Sequence, residues 1–448
     1  MCEVIIMTCK KINNVTIIGG TRGLGNWIAT ELSKEDFNVT ITSRNKDSGE
    51  KVAEKINVKY NNDNIEAIEN ADLIIFSVPI EVMEETIKDV APYAPENSLL
   101  MDIASVKTGP AEALIKYAPD NTEILPCHPM FGPRLPSMEG QVIILTPIKD
   151  RSNKLFENVK NFLEKRNAHV VISTPKEHDK IMSVVQGITH FSYISIASTI
   201  KKLDISVKKS REFASPVYSL MLDMISRIVS QNPYLYYSIQ KSNAETAISR
   251  RTLIEESIRL SKLIEDGEED LFVKNMSDSA KHLDEFEEAL GRSDKAISIL
   301  TNDYYVLKES IGKEIGVKHQ YSKKIHVGVV DSVSSDIVTL TNKNKKIDLK
   351  ISNVNKLSDA ELYEWKKNNL ELCEFDISVI FPKHCNKNIL LNMFKNIKPV
   401  INVELKDVYV GEQIDEDKMS LTFHYSTFYK NDKNYVENYL RGIGGTIR

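Results

Sequence analysis

Residues Val15–Arg44 read VTIIGGTRGLGNWIATELSKEDFNVTITSR, and this stretch decides the fold of the first third of the chain. A short apolar run, Val15 to Ile18, meets a glycine cluster at Gly19, Gly20, Gly23 and Gly25. A helical pattern follows, with Leu24, Ile28, Ala29 and Leu32 at three- and four-residue spacing, and Val39 to Thr42 reads as a second strand. Strand, tight glycine turn, helix and strand open a dinucleotide-binding unit, in which backbone amides approach a pyrophosphate with no Cβ atoms in the way. The register is imperfect, because Arg22 stands where the middle glycine of G-x-G-x-x-G belongs and Gly23 comes one residue late. The competing reading is a glycine-rich turn in an α/β domain that binds nothing. The expected cofactor cradle is Gly19, Gly20, Thr21, Arg22, Gly23, Leu24 and Gly25, with Ser77, Val78 and Pro79 after a later strand. The second strand ends in Thr42, Ser43, Arg44 and Asn45 with no acid for the ribose hydroxyls of NAD, so Ser43 and Arg44 favour NADP.

At 448 residues the chain is long enough for two to four domains. A formal net charge of −5, with 27% charged and 42% hydrophobic residues, fits a globular protein and gives no reason to expect nucleic acid as a partner. Cys2, Cys9, Cys127, Cys373 and Cys385 have neither disulfide-framework nor metal-ligand spacing, so no metal site is expected and a reducing, cytoplasmic setting is. No apolar run reaches the length of a membrane span.

Apolar strands continue at Ala71–Phe76, Ser98–Met101, Glu123–Pro126, Val142–Leu145 and Ala168–Ile172, separated by helices. That rhythm predicts a Rossmann-like α/β domain over residues 12–175, its sheet covered on both faces. Residues 176–318 carry almost no strand signal and read as an all-helical domain, one of its helices running from Pro233 to Leu263 and Ile181–Ile200 apolar on more than one face, as in a bundle or dimer interface. Residues 322–370 read as a small β-rich module, and residues 374–448 as a βαββαβ, ferredoxin-like domain.

Four groups of polar residues fall where a doubly wound sheet places its working edge, at the carboxyl ends of strands. They are Asp102, Ser105 and Lys107; Cys127–Pro133 around His128; Glu177, His178 and Asp179 with His190 further on; and Arg211. His178 and His190, twelve residues apart, are expected on one face of a helix. Asp179 reads either as a holder of a histidine or arginine, or as a helix cap. A nicotinamide cofactor, a histidine beside a serine, and basic residues for an anion together point to oxidation of an alcohol, with the histidine taking the hydroxyl proton.

The runs GGTRGLG, ADLIIFSVPI, DIASVK, LPCHPMFGP, EHDKIMSVVQGITH and SREFASP together resemble the archaeal type of the prephenate/arogenate dehydrogenase family, over about Val15 to Leu290. The resemblance implies NAD(P)-dependent oxidative decarboxylation of prephenate to 4-hydroxyphenylpyruvate, or of arogenate to tyrosine, by a homodimer. It implies that His128 deprotonates the ring hydroxyl, that Ser105 shares that hydroxyl, and that His190 and Arg211 position the substrate, with His178 and Asp179 beside them. Gln186–Thr189 departs from the histidine and proline of many relatives, so one substrate contact is expected to be missing.

The tail, with LKDVYVGE at Leu405–Glu412 and GIGG at Gly442–Gly445, resembles the ferredoxin-fold anticodon-binding domain of phenylalanyl-tRNA synthetase. Its acids Asp407, Glu412 and Asp415–Asp417 leave it short of the basic character RNA binding needs, and a regulatory or assembly module that senses an aromatic amino acid, tyrosine, is the expectation. The contrasting reading is a cofactor-bound regulatory or RNA-associated protein without turnover, against which the presence of both Ser105 and His128 counts.

Overall fold

The computed structural model describes residues 12–343 and 345–448, which form two compact units, one running to Phe286 and the other from Glu287 to Arg448. Cys2 and Cys9 lie outside the described residues.

The first unit opens with β1 (Asn14–Ile18), α1 (Gly23–Leu32), β2 (Asn38–Thr42), α2 (Lys46–Ile56), β3 (Lys59–Asn61), α3 (Asn64–Ile68) and β4 (Leu73–Phe76). It continues through α4 (Ile80–Val90), β5 (Leu99–Asp102), α5 (Thr108–Tyr117) and β6 (Glu123–Ile124). The six strands pair in parallel in the order β3-β2-β1-β4-β5-β6. The order reverses beside β1, which is where such sheets bind ligands. Because successive side chains alternate, Ile17, Ile75 and Met101 enter one core while Ile18, Ile74, Phe76 and Leu100 enter another on the opposite face. Each fully buried Ile or Leu contributes about 1.5–3 kcal/mol.

A second sheet of three strands, β7 (Cys127–Pro129), β8 (Val142–Leu145) and β9 (His169–Ile172), with α6 (Lys154–Glu164) before its last strand, completes the α/β part. The expected continuous strand Glu123–Pro126 is thus broken. His128 sits within β7, antiparallel to β8 and opposite Ile144, rather than in a loop beyond a strand end.

The helical part comprises α7 (Pro175–Met182), a π-helical turn at Ser183–Ile188, α8 (Thr189–Lys202), α9 (Val207–Arg211), α10 (Pro216–Val229), α11 (Pro233–Ser242), α12 (Ala244–Glu265) and α13 (Glu269–Leu283). Thr174 caps α7 through the Glu177 amide, with Pro175 in the first turn, where a missing N–H costs nothing. The single helix expected from Pro233 to Leu263 is two. Asn243 leaves helical geometry, caps α12 by accepting from the Glu245 amide, and donates Nδ2–H to the Asp179 carbonyl at 2.7 Å.

The second unit holds α14 (Phe286–Lys308), then β10 (Glu314–His319), β11 (Ile325–Val333), β12 (Ile337–Asn342), β13 (Lys345–Lys350), β14 (Val354–Lys356) and α15 (Asp359–Asn369). Its five strands are antiparallel in the order β13-β12-β11-β10-β14. Tyr304 and Leu307 of α14 pack with Ile315, Val317, Val330 and Leu340. The helix therefore belongs to this unit by its core, not to the helical domain to which residues 176–318 were assigned. The chain ends in β15 (Cys373–Pro382), α16 (Lys387–Lys395), β16 (Val400–Tyr409), β17 (Lys418–Thr427), α17 (Asp432–Gly442) and β18 (Thr446–Ile447), in the ferredoxin-like order β16-β17-β15-β18. Alternate residues Val379 and Phe381 of β15 and Leu421, Phe423 and Tyr425 of β17 pack on Phe394, Val436 and Leu440 of the two helices.

Candidate active site

The glycine turn is built for close approach. Gly19 has a φ of +82°, and a Cβ there would lie 2.5 Å from the Ser77 carbonyl oxygen. A Cβ on Gly25 would lie 2.5 Å from Ser77 Oγ, so Gly25 lets α1 pack against the end of β4. Arg22 is the N-cap of α1 but supplies no side-chain hydrogen bond, and the first turn carries no acid. The amides at the start of this ten-residue helix are thus left to an anion, and the residues fit a dinucleotide pyrophosphate. Ser43 and Arg44 follow β2, with Ser43 Oγ donating to the Asn45 carbonyl and its own carbonyl accepting from Tyr60 Oη–H at 3.0 Å. Arg44 is exposed.

Beyond β5 the chain turns sharply. Asp102 Oδ1 accepts from the Ala104 amide at 3.0 Å and from the Lys107 ammonium, and both side chains of that ion pair are fully buried. Lys107 Nζ also donates to the Cys127 carbonyl at 2.7 Å. The ion pair therefore ties the β5 turn to β7, one residue before His128. Ser105 lies half-buried in this turn and makes no hydrogen bond among the described residues.

His128 is the centre of a buried network. Its Nδ1 is 2.9 Å from His178 Nε2, and His178 Nδ1 is 2.8 Å from Asp179 Oδ1. Asp179 also accepts from the amides of Lys107 at 2.8 Å and Thr108 at 2.9 Å, so the start of α5 and the middle of α7 meet at one carboxylate. Gln186 Nε2 stands 3.4 Å from His128 Nε2. Burial, then the neighbouring Lys107 and His178, push the His128 pKa well below the usual imidazole value, with Asp179 opposing. Burial pushes the Asp179 carboxyl up, but His178 and the amides of Thr108 and Lys107 outweigh it and hold the group below its ordinary value.

His190 lies further along the same helical rod, its ring edge-on to Tyr236 with centroids 4.8 Å apart. Burial lowers its pKa, and its Nδ1 is buried without a partner among the described residues, as is Gln186 Oε1. An unbroken α-helix would leave positions twelve apart about a third of a turn out of phase. The π turn at Ser183–Ile188 has wider turns and takes up that difference, which the expectation of whole α-helical turns overlooked. The turn is held by Gln240 Nε2 donating to the Gly187 carbonyl at 2.8 Å, and a Cβ on Gly187 would lie 2.9 Å from Thr246 Cγ2.

The structure brings together His128, His178, Asp179 and Gln186, and leaves Arg211 outside that network. Arg211 is partly exposed and donates to Asp223 Oδ1 at 2.6 Å. Both ring nitrogens of His178 are engaged by protein groups rather than left for substrate, and of the alternatives for Asp179 the structure shows the holder of a histidine, the cap being Thr174. Gln186, in the segment where one substrate contact is expected to be missing, stands beside His128. Its signal was there to read, four residues before His190 and so on the same helical face. Burial raises the pKa of the Tyr236 hydroxyl, and the charge of Arg227 on α10, a residue that no local motif singles out, opposes it.

Two family models match this chain: the prephenate dehydrogenase nucleotide-binding domain over residues 28–172 and the prephenate dehydrogenase dimerization domain over residues 174–278. A probable arogenate/prephenate dehydrogenase of Methanocaldococcus jannaschii is 39% identical over 440 residues, covering 97% of this chain and 98% of that protein. The chain belongs to the prephenate dehydrogenase family. The family's T-protein of Haemophilus influenzae is 31% identical over 244 residues, covering 54% of this chain and 59% of its own length. Among solved structures, prephenate dehydrogenase from A. aeolicus, in complex with hydroxyphenyl propionate and NAD+, has the same fold at a TM-score of 0.51 and 20% identity, covering 64% of this chain and 99% of that one. The chain is thus a nucleotide-binding dehydrogenase of this family. No helix among the described residues is long and apolar enough to cross a membrane.

Proposed function

We propose that this enzyme oxidises prephenate to 4-hydroxyphenylpyruvate with loss of CO2, in tyrosine biosynthesis, as a homodimer joined through its helical domain. The observation that carries the reading is a buried His128, held well below the usual imidazole pKa, whose Nδ1 is engaged by His178 and whose Nε2 faces Gln186 Nε2 at 3.4 Å. A nicotinamide cofactor on Gly19–Gly25 and Ser77–Pro79 supplies the hydride acceptor. His128 takes the proton of the ring hydroxyl, and Ser105, at the β5 turn, is the residue assigned to share that hydroxyl. Gln186 Nε2–H, already beside His128 Nε2, is placed to donate to the same oxygen as it becomes a carbonyl. Departure of the ring carboxylate as CO2 restores aromaticity, so alignment and a neutral base are the main demands on the protein.

The substrate is a dianion, and two guanidinium groups are candidates for a carboxylate. Arg211 is the sequence assignment, but Asp223 occupies it. Arg227 is favoured because its charge opposes the effect of burial on the hydroxyl of Tyr236, whose ring packs on His190. Arogenate is the second reading, favoured by the double name of the M. jannaschii relative. NADP is preferred to NAD because Ser43 and Arg44 follow β2 with no acid beside them.

The deciding assay follows reduced cofactor at 340 nm with prephenate or arogenate, each with NADP+ and NAD+. Turnover of prephenate, fastest with NADP+, is expected. Turnover of arogenate alone replaces the substrate assignment, and no turnover of either rejects the reading. In the same assay Arg227→Ala is expected to raise KM more than Arg211→Ala, since a lost charged hydrogen bond costs about 1.5–3 kcal/mol, roughly 10- to 100-fold.

A further inference from the structure

Resting on that oxidation, we infer that His178 and Asp179 are positioning residues that fix which nitrogen of His128 is the base, holding its proton on Nδ1 and presenting the Nε2 lone pair to the substrate. Hydrogen-bond bookkeeping along the chain leads there. The Asp179 carboxylate already accepts from two backbone amides, and an ionised carboxylate can only accept, so the group 2.8 Å away must be His178 Nδ1–H. With that proton on Nδ1, the Nε2 of a neutral His178 is an acceptor. The atom 2.9 Å from it, His128 Nδ1, must therefore donate. A neutral imidazole has one N–H, so His128 Nε2 is left with a lone pair. The amide N–H of Gln186 faces that nitrogen, as the assignment requires. A proton on His178 Nε2 instead would point at His128 Nδ1 and move the remaining ring proton to Nε2, which leaves no base at the substrate.

When His128 takes the substrate's proton, the O–H bond breaks, an Nε2–H bond forms, and the ring becomes an imidazolium. Its charge faces Lys107 and His178 from the β5 turn and α7, with Asp179 behind His178 and Gln186 neutral in front. Among these groups the Asp179 carboxylate is the one that offsets the new positive charge, through His178. Loss of CO2 leaves its electron pair on the ring as a phenolate, which takes the proton back from Nε2 to give the phenol, so the base is regenerated and His178 and Asp179 keep their protonation states throughout. The arrangement places one imidazole between the base and its orienting carboxylate, where the serine-protease triad has none.

The test separates this role from substrate binding and from folding. Long-range ¹H–¹⁵N NMR of the histidine-labelled full chain, free of ligand, is expected to show His128 protonated on Nδ1; protonation on Nε2 overturns the inference. His178→Gln retains an acceptor for His128 Nδ1–H through Oε1 but uncouples the carboxylate. It should lower kcat roughly 10-fold and move the acid limb of the pH profile to lower pH, leaving KM within about twofold. His178→Phe removes the acceptor and should lower kcat roughly 10³-fold, as loss of tautomer control does in triad enzymes. A raised KM with unchanged kcat in either variant would make His178 a substrate ligand and overturn the assignment. Should both fail to fold, Asp179→Asn carries the kinetic test with the same expected shift of the acid limb. Absence of wild-type turnover would defeat the proposed function, while the tautomer measurement still decides the inference.

Discussion

Each unit of the molecule contains a histidine hydrogen-bonded to an aspartate at almost the same distance. In the first unit, His178 Nδ1 meets Asp179 Oδ1 at 2.8 Å with side chains 0% and 8% exposed. In the second, His424 Nδ1 meets Asp376 Oδ1 at 2.7 Å on the open face of the ferredoxin-like sheet, with 29% and 57% exposed. The pair chemistry is the same and its surroundings are opposite. Asp376 shares its oxygens with the exposed Lys406, and water screens all three. Asp179 gives its oxygens to the amides of Lys107 and Thr108, and His178 passes the consequence to a second ring, the proposed base. A carboxylate–histidine pair becomes machinery when burial leaves it no other partners and a third group depends on its direction.

Breaking the buried chain at its end should have the largest effect. His128→Asn removes the base and should lower kcat roughly 10²- to 10⁴-fold, with thermal unfolding recorded beside it to separate chemistry from stability. Breaking the ion pair underneath should strike stability next. Lys107→Met strands Asp102 as a buried charge and frees the Cys127 carbonyl, so urea unfolding should show a loss of about 3–5 kcal/mol. At the cofactor end, Arg44→Ala should raise KM for NADP+ roughly tenfold more than for NAD+; equal changes would remove the argument for the 2′-phosphate.

The pH response sharpens the contrast further. His128 is held below the imidazole value in the folded state, whereas the unfolded chain binds its proton near pH 6.5. The unfolded state therefore carries more protons below that point, so stability should be flat above about 6.5 and fall as pH drops through it. Urea midpoints at pH 7.5 and 5.5 should differ less in His128→Asn than in wild type. The exposed pair supplies the smallest effect: His424→Ala should leave kcat and Tm where they were, and a marked loss of either would show that the sheet face is covered in the working assembly.

Much of this was legible in the sequence, for a physical reason that differs from place to place. The glycine turn and the strands around it announce themselves because local rules suffice: apolar runs of four or five, glycines where Cβ has no room, and helices between. The residues His128, His178 and Asp179 were legible as candidates, but not their connection. His128 and His178 are joined across 50 residues, and no periodicity spans that distance. Asn243 was hidden inside a helical pattern because its cap and its bond to Asp179 are tertiary facts. Arg211 drew attention as a cation before a proline. Its ion pair with Asp223 twelve residues on, at a spacing that crosses a helix break, could not be inferred from either residue. The helix α14 looked like its helical predecessors because amphipathicity does not say which core a helix faces; Tyr304 and Leu307 answer that only once the strands are in place.

The π turn at Ser183–Ile188 makes the rod from α7 to α8 a phase device. Everything before the turn is locked to the α/β part through Asp179, and everything after it is oriented relative to that lock by the count of residues in six positions. Winding those six positions as α-helix with no residue lost would rotate His190 and all of α8 by about a third of a turn about the axis. The surface that α8 offers to α10 would then turn with the catalytic face. Candidate-site geometry and helix packing are thus geared to a single shaft, and a change in the winding of the turn that moves one turns the other.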